Sequence, residues 1–261
     1  MIEFALPSDE KEIMEIWEAV FPEDKSFNKW FFKNKFKREY TLVYRGNGVV
    51  CSMVQLLPYE IAGFGKVSYI YGAATKPEFR KRGIMRELLE YSHRLDRERG
   101  FSGSVLIPAN RELFNYYGKI GYKTAFFVAH SEYSTDKTDG FAVKRAEKED
   151  ISALNEIYIN EMGKSYVVRT YDRWLEQLNM FDKIYDGCYI LTENGREKAY
   201  CFCANDSVAE ICGTNKGELC ARINSGKPVQ CTEKGNKIPY GMLLSYTGQT
   251  PENMYIGLMF D

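Results

Sequence analysis

The pattern of apolar and polar positions is clearest between residues 66 and 100. Residues 67–75 carry no charge and are rich in β-branched and aromatic side chains, which is typical of a strand buried on both faces. Pro77 ends this strand, and from Gly83 the apolar period becomes that of a helix. The apolar face of this helix comprises Ile84, Leu88, Tyr91 and Leu95. The stretch therefore predicts a central strand, a turn and a central helix that ends near Gly100.

The rest of the first half predicts further elements around this pair. Periodicity, capping residues and turn residues indicate strands at residues 2–6, 41–44, 49–57, 104–107 and 122–133, and helices after Asp9, around 27–36 and at 111–117. The segment 134–140 is polar and rich in turn residues, which marks a domain boundary. We therefore expect one domain over residues 1–135 and a second over residues 140–261.

The second half repeats the opening of the first. Asp9, Ile13, Ile16 and Trp17 align without gaps with Asp150, Leu154, Ile157 and Tyr158. The predicted hairpin 40–54 aligns with residues 189–203, which places Gly46 over Gly195. A repeat of this length predicts a second copy of the same fold. Its last two strands are expected at residues 240–246 and 254–260.

Composition narrows the classes of function. A net charge of −1 argues against nucleic acid as the main partner, and an apolar content of 44% suits a globular protein. No apolar run reaches the roughly 20 residues that span a bilayer, and the N-terminus lacks a signal-peptide core. We therefore expect a cytoplasmic protein with no membrane partner. The 7 cysteines lack metal-ligand spacing, so we expect reduced thiols and no metal.

Candidate chemistry lies where the central strand meets the central helix. The first amides of a helix have no internal partner and form the positive end of its dipole. Arg80, Lys81 and Arg82 surround this point, and Gly83 allows a ligand to approach the backbone closely. The combination predicts a site for phosphate or pyrophosphate. The alternative is a basic helix start with a capping glycine.

This junction resembles the acetyl-CoA motif of the GNAT acyltransferases. The core of that motif is Gln/Arg-x-x-Gly-x-Gly/Ala, and the sequence here is Arg80-x-x-Gly83-x-Met85. Met85 is larger than the residue usual at the last position, although a branch of the family also carries a larger residue there.

A second segment downstream strengthens the resemblance. Asn110 through Tyr122 is similar to the family's Asn-x-x-Ala-x-x-hydrophobic-Tyr-x-x-x-Gly-Phe/Tyr segment, with Tyr117 at the first tyrosine position and Gly121-Tyr122 at the end. The detailed match to the family covers about residues 65–125. The two segments in this order are more specific than either alone.

The resemblance implies an α/β (α+β) fold with two tandem GNAT-like domains. Each would be a mixed, mostly antiparallel sheet flanked by helices, which splays at the central strand. In the second copy, residues 207–213 take the place of that strand but no Arg-x-x-Gly follows them. We therefore expect a degenerate second domain without its own CoA site, serving as a lid or substrate wall. The plan resembles the enhanced-intracellular-survival branch without its third domain, which is of sterol-carrier type.

The resemblance also implies where acetyl-CoA (coenzyme A), the co-substrate, would bind. Backbone amides of Arg82 to Met85 would hold its pyrophosphate. Ala73 and Thr75 would hydrogen-bond the pantetheine arm and help to polarise the thioester carbonyl. The full set of expected cofactor-binding residues is Ala73, Ala74, Thr75, Arg80, Lys81, Arg82, Gly83, Ile84, Met85 and Asn110.

The resemblance assigns the general acid but leaves the base open. Tyr117 would protonate the departing thiolate. Many members of the family carry an acidic residue on or beside the central strand, and residues 67–75 have none. The candidates for the base are Glu60, the terminal carboxylate of Asp261, by analogy with the branch named above, and water.

We therefore expect an acetyl-CoA-dependent N-acetyltransferase that acetylates a primary amine by direct attack in a ternary complex. The acceptor would be a small-molecule or peptide amine, with no metal involved. One alternative is a CoA-binding sensor or scaffold without catalysis. The other is an aminoacyl transferase, for which a strongly basic surface and a lost pyrophosphate loop would be expected. The sequence leaves open the acceptor, the acyl chain length and the oligomeric state.

Overall fold

The computed structural model describes residues 1–22, 25–133, 137–224 and 228–259. The chain folds into two compact units. Unit 1 joins Met1–Ala125 to Gly241–Pro251, and unit 2 joins Phe126–Tyr240 to the residues after Pro251. No helix in the described ranges is long and apolar enough to cross a lipid bilayer.

In the first half of the chain the helices and strands follow one another in the predicted order, and the second half repeats the opening of that order. The strands are β1 (Ile2–Phe4), β2 (Thr41–Gly46), β3 (Val49–Ile61), β4 (Gly65–Thr75), β5 (Gly103–Leu106), β6 (Lys123–Tyr133), β7 (Phe141–Arg145), β8 (Gly187–Glu193), β9 (Arg196–Ala204), β10 (Ser207–Gly213), β11 (Val229–Lys234) and β12 (Ile238–Ser245). The α-helices are α1 (Glu10–Val20), α2 (Lys25–Asn34), α3 (Ile84–Glu98), α4 (Arg111–Gly118), α5 (Ile151–Met162), α6 (Tyr171–Ile184) and α7 (Lys216–Ile223).

Unit 1 contains a mixed, mostly antiparallel sheet in the order β1-β2-β3-β4-β5-β12. Only β4 and β5 are parallel; the other pairs, including Met242–Ser245 of β12 with β5, run antiparallel. This arrangement confirms the predicted class of sheet.

Helices cover both faces of the unit 1 sheet. Neighbouring residues of a strand point to opposite faces. In β4, Ile70 packs in a core cluster with Leu88 of α3, whereas the ring of Tyr71 lies 5.6 Å from that of Trp17 on α1. The α1 face is aromatic, since Trp17 also stacks on Phe31 of α2 at 4.7 Å. The central strand is therefore buried on both faces, as its apolar composition predicts.

Unit 2 has the same plan in the order β6-β11-β10-β9-β8-β7. Only β10 and β11 are parallel, and they pair at Ser207–Val208. Helices α5 and α6 pack on β8–β10, and α7 packs on β7–β10. All 7 cysteines of the chain are buried free thiols, as expected, and six of them lie in unit 2, four of these in one core cluster.

The domain boundaries differ from those expected. The units divide after Ala125, before the predicted boundary at 134–140, of which residues 134–136 lie outside the described residues. The segment Gly241–Pro251, expected in the second domain, belongs to unit 1. The physical reason is that the edge of β5 pairs with Met242–Ser245, more than a hundred residues away. Local periodicity identifies such a strand but carries no information on its partner.

The end of the chain also differs from expectation. Residues 254–259 were expected to form a strand, but they contain only an isolated bridge, between Tyr255 and Tyr166. Phe260 lies outside the described residues.

The hairpins of the repeat are both present, with a shifted alignment. The turn of β2–β3 is Asn47-Gly48 and that of β8–β9 is Asn194-Gly195, and all four residues have positive φ. A two-residue turn of this kind requires positive φ at both positions, which favours Asn-Gly. Gly195 therefore corresponds to Gly48, and not to Gly46 as the sequence alignment suggested.

Candidate functional site

The parallel strands at the centre of unit 1 separate after a short pairing. Val67–Tyr69 of β4 pairs with Gly103–Val105 of β5. β5 ends at Leu106, but β4 continues to Thr75. Among the described residues, no strand pairs with the last six residues of β4 on this side. Backbone groups at the end of β4 are thus left for another partner, as expected of a strand that splays.

A β-bulge bends β4 within this separated part. Register with β3 shifts between Gln55, which opposes Tyr71, and Met53, which opposes Ala74. Gly72 lies in the bulge with φ of +56°, and a Cβ there would lie 2.1 Å from a ring atom of Trp17. Only glycine accommodates both the positive φ and this contact. Bulges of this kind commonly redirect a strand beside a functional site.

Hydrogen bonds fix the last residues of β4. The Ser52 hydroxyl donates to the carbonyl oxygen of Ala74 at 2.8 Å and lies 2.8 Å from the Thr75 hydroxyl. Nε of Arg80 donates to the carbonyl oxygen of Thr75 at 3.1 Å. Two of the expected cofactor residues, Thr75 and Arg80, are therefore held together.

The loop after β4 presents cations and free amides at the start of α3. Lys81 and Gly83 both adopt left-handed backbone conformations, with φ of 62° and 80°. The first helical hydrogen bond runs from Glu87 N to Gly83 O at 3.0 Å, so the amides of residues 84–86 precede the helical ladder. A Cβ at Gly83 would meet no atom within 4 Å, so the space in front of the backbone is open.

The side chains of this loop and helix start divide into two groups. Arg80, Lys81 and Arg82 are exposed, and Arg82 donates to the carbonyl oxygen of Glu78 at 2.8 Å. Ile84 is buried, and Met85 packs against the same core cluster as Ala73. The cations can therefore face an anion, whereas residues 84 and 85 can contribute only through their backbone.

Tyr117 lies in the last turn of α4, in the core cluster against which Ala73 and Met85 pack. It is 8% exposed, and burial raises its pKa to about 12, with a smaller contribution from Tyr116. The phenol is therefore protonated at neutral pH. The rings of Tyr116 and Tyr122 contact it edge-on, at 5.2 and 5.9 Å.

Asn110 is the N-cap of α4. Its Oδ1 accepts a hydrogen bond from the backbone N–H of Leu113 at 3.1 Å. This satisfies one of the amides that a helix start leaves without a partner. Asn110 therefore orients the helix that carries Tyr117.

Of the two residues that are candidate bases, the structure describes only Glu60. Glu60 is exposed and opposes Lys66 at the far end of the β3–β4 hairpin. Lys66 lies seven positions before Ala73, which is about 20 Å along a strand at roughly 3.3 Å per residue. This separation argues against Glu60 as the base. Asp261 lies outside the described residues.

Sequence reasoning missed a buried polar network behind Tyr117. The Tyr122 hydroxyl lies 3.0 Å from Nε2 of His93 and 2.7 Å from the Ser104 hydroxyl. Nearby, Asp96 accepts hydrogen bonds from Ser68 at 2.6 Å and from Tyr246 at 3.0 Å. The available signal was the position of His93, one helical turn after the apolar Leu89.

The corresponding place in unit 2 is closed by its own side chains. The backbone N–H of Gly213, the last residue of β10, donates to Glu161 at 2.5 Å. Lys216, the first residue of α7, pairs with Glu161 at 2.5 Å and with Glu233 at 2.6 Å. All three side chains are mostly buried. The groups that face open space in unit 1 are satisfied internally here.

Neither unit presents an obvious metal centre. Among the described residues, no group of three or more His, Cys, Asp or Glu side chains is placed to hold a metal ion.

Comparison with known families agrees with the geometry. Residues 2–125 match the family model described as the acetyltransferase (GNAT) domain. The matched segment is 124 of the 261 residues, so this part of the chain resembles a GNAT acetyltransferase domain. A search among curated proteins found no sequence match.

Solved structures share the fold over both units. A GCN5-related N-acetyltransferase from Anabaena variabilis ATCC 29413 has a TM-score of 0.71 and 17% identity, covering 93% of this chain and 72% of that chain. A GCN5-related N-acetyltransferase from Kribbella flavida has a TM-score of 0.72 and 14% identity, covering 94% of this chain and 71% of that chain. Eis1 from Mycobacterium abscessus has a TM-score of 0.61 and 13% identity, covering 88% of this chain and 65% of that chain. At these identities the likeness establishes the fold alone.

Proposed function

We propose that unit 1 transfers an acetyl group from acetyl-CoA to a primary amine by direct attack within a ternary complex. The match of residues 2–125 to the GNAT domain model supports the coarser statement, acyl transfer from an acyl-CoA. One observation carries the finer proposal. Tyr117, a protonated phenol, lies in the core cluster against which Ala73 at the separated end of β4 and Met85 at the start of α3 also pack.

In this proposal the start of α3 holds the cofactor. The amides of Arg82 to Met85 bind the pyrophosphate, where the helix dipole favours negative charge. The exposed cations Arg80, Lys81 and Arg82 add attraction. The unpaired side of β4 at Ala73, Ala74 and Thr75 binds the pantetheine arm, and an amide donor to the thioester carbonyl contributes about 10²–10³ in rate.

Tyr117 is the proposed general acid. The amine nitrogen attacks the thioester carbon, the carbon–sulfur bond breaks, and the sulfur leaves as a thiolate. Since burial raises the pKa of Tyr117 to about 12, its hydroxyl carries a proton to donate to that sulfur. No hydrogen bond joins this hydroxyl to another described residue, which leaves it available to the cofactor. The proton of the amine leaves to water.

Unit 2, in this proposal, binds no CoA. The support is the ion pairing of Lys216 with Glu161 and Glu233, which occupies the place equivalent to the cofactor loop. Its role as a lid or substrate wall, the small-molecule or peptide nature of the acceptor, and the cytoplasmic location stay predictions.

A CoA-binding sensor without catalysis is the second candidate. Met85 and the lack of an acidic residue in residues 67–75 favour it. The buried, protonated Tyr117 favours catalysis instead. Aminoacyl transfer is less favoured, because the Arg80–Gly83 loop is intact.

The test measures acetyl-CoA binding by calorimetry and thiol release over a panel of primary amines. We expect Tyr117→Phe to bind acetyl-CoA normally and to lose about 10²-fold or more in kcat, the range of a positioned acid. Tyr116→Phe is the matched control, since Tyr116 is a 36% exposed neighbour, and it should keep full activity. Binding without turnover on any amine would favour the sensor. Absence of binding would contradict the cofactor site itself.

A further inference from the structure

We propose that Tyr122 is a positioning residue that holds the Tyr117 hydroxyl in place, with His93 and Ser104 as its anchors. The inference rests on the proposed function, because it concerns how the proposed acid is oriented. It adds Tyr122, His93 of α3 and Ser104 of β5 to a site so far built from the end of β4, the start of α3 and helix α4.

The backbone joins the two tyrosines first. The Tyr122 N–H donates to the carbonyl oxygen of Tyr117 at 3.2 Å, and the Gly121 N–H donates to that of Gly118 at 3.1 Å. Gly121 has φ of +107°. These bonds and a glycine of positive φ form a Schellman motif, in which an apolar contact commonly joins the residues that Tyr117 and Tyr122 occupy. The spacing Tyr-x-x-x-Gly-Tyr is therefore a helix stop that brings two rings together.

The side chains join them a second time. The rings of Tyr117 and Tyr122 meet edge-on, with centroids 5.9 Å apart and planes at 69°. Tyr122 is 3% exposed, so its ring has no room to move. Because protein interiors are densely packed, a shift of the Tyr122 ring would be transmitted to Tyr117.

Two rigid elements then fix Tyr122. His93 on α3 places Nε2 3.0 Å from the Tyr122 hydroxyl, and Ser104 on β5 places its hydroxyl 2.7 Å away. Burial, aided by the nearby cation of Arg97, lowers the pKa of His93 to about 4, so at neutral pH the imidazole is uncharged and Nε2 can accept a hydrogen bond from the Tyr122 hydroxyl. Ser104 can then donate to the phenol oxygen, which satisfies the buried group.

The experiment is a double-mutant cycle with Tyr117→Phe and Tyr122→Phe. Tyr122→Phe keeps the ring and removes both hydrogen bonds. We expect kcat to fall about tenfold, because small misplacements of a reacting group are costly, with KM for acetyl-CoA unchanged within about twofold. In the Tyr117→Phe background the same change should have no further effect on kcat, because positioning acts only through the Tyr117 hydroxyl. His93→Gln, which keeps an acceptor, should retain more activity than His93→Leu.

A matched control separates positioning from stability. Tyr158 is a buried tyrosine of unit 2 whose hydroxyl donates one hydrogen bond, to the carbonyl oxygen of Val167 at 3.0 Å. Tyr158→Phe should lower the unfolding temperature but leave kcat unchanged. Additive losses in the cycle, or a normal kcat for Tyr122→Phe beside a slow Tyr117→Phe, would overturn the inference alone. A normal kcat for Tyr117→Phe would overturn the proposed acid.

A readout without turnover keeps the inference testable if no acceptor is found. NMR of ring-labelled tyrosine, with Tyr117→Phe to assign the signal, measures how fast the Tyr117 ring flips. We expect Tyr122→Phe to speed this flipping, because the two rings meet edge-on and Tyr122 loses both of its anchors. An unchanged flipping rate would overturn the inference.

Discussion

The two units build the same elements but end their central strands differently. In unit 1 the chain leaves β4 through three exposed cations and reaches a helix start whose amides face open space. In unit 2 the chain leaves β10 through an N–H bonded to Glu161 and reaches a helix whose first residue, Lys216, is ion-paired twice. One fold can thus either leave its polar groups free for an anion or satisfy them with its own carboxylates.

The two units also differ in the space between the sheet and the first two helices. In unit 1 this space is aromatic, with Trp17 beside Tyr71. In unit 2 it is also aromatic, with Trp174 beside Tyr158, but it holds in addition a buried ion pair, in which both nitrogens of the Arg169 fork donate to Glu210 at 2.6 Å. Burial alone would raise the pKa of Glu210, but the charge and hydrogen bonds of Arg169 lower it overall. The Tyr255 hydroxyl also donates to Glu210 at 2.9 Å, so the Arg169–Glu210 pair helps to hold the last described segment in place.

Breaking this pair should give the largest effect. Glu210→Gln leaves a buried guanidinium without its counter-charge, which costs about 3–5 kcal/mol of unfolding free energy. Hydrogen exchange should show the loss in peptides of β9 and β10, with β3 and β4 of unit 1 much less affected. Glu90→Gln, which breaks an exposed ion pair with Arg86, is the control and should change little. Replacing both Arg169 and Glu210 by Met should recover part of the loss; equal damage in the double variant would contradict this explanation.

Acid should destabilise unit 1 before unit 2. Because burial lowers the pKa of His93 to about 4, the unfolded chain binds a proton below pH 6.5 that the folded chain does not. Stability is then full above pH 6.5 and falls toward pH 4, by up to about 3 kcal/mol at roughly 1.4 kcal/mol per pKa unit. The raised pKa of Asp96, caused by burial, acts in the opposite direction and reduces the loss.

Acid should lower the stability of unit 2 over a different pH range. Burial would raise the pKa of Glu233, but hydrogen bonds from Lys216 and Ser131 lower it overall. A carboxylate with a lowered pKa stabilises the fold above its ordinary value of 4.5, and this contribution is lost only below it. Hydrogen exchange at pH 7 and pH 5 should therefore show a loss in α3 peptides and none in α7. His93→Gln should remove the loss; its persistence would assign the effect to another group.

The smallest predicted effect compares two helix caps. Asn110 caps α4, and Thr170 caps α6 through its hydroxyl, which accepts from Arg173 N at 3.4 Å. Replacing either by Ala should cost about 1 kcal/mol of stability. Only Asn110→Ala should also slow thiol release, because α4 carries Tyr117. A slower reaction in Thr170→Ala would indicate that both changes act through general instability.

Local features of the site were predictable from the sequence, and distant ones were not. The Arg80–Gly83 loop and the stop at Gly121 follow from spacing within one turn, where chain connectivity fixes the geometry. The pairing of β12 with β5 and the pair of Arg169 with Glu210 join distant positions, so no local period signals them. The sequence did contain one signal for Glu210, since it is the lone charged residue in the apolar strand 207–213. The structure argues against the candidate base Glu60, because the length of the hairpin strands, which composition does not show, places it at the far end of the hairpin.

The central claim is that only unit 1 binds acyl-CoA, and calorimetric titration of free CoA tests it most directly. We predict one site per chain, weakened severely by the double variant Arg80→Gln/Arg82→Gln and unchanged by Lys216→Gln. Two sites per chain, or a loss of binding in Lys216→Gln with the arginine variant intact, would contradict the account.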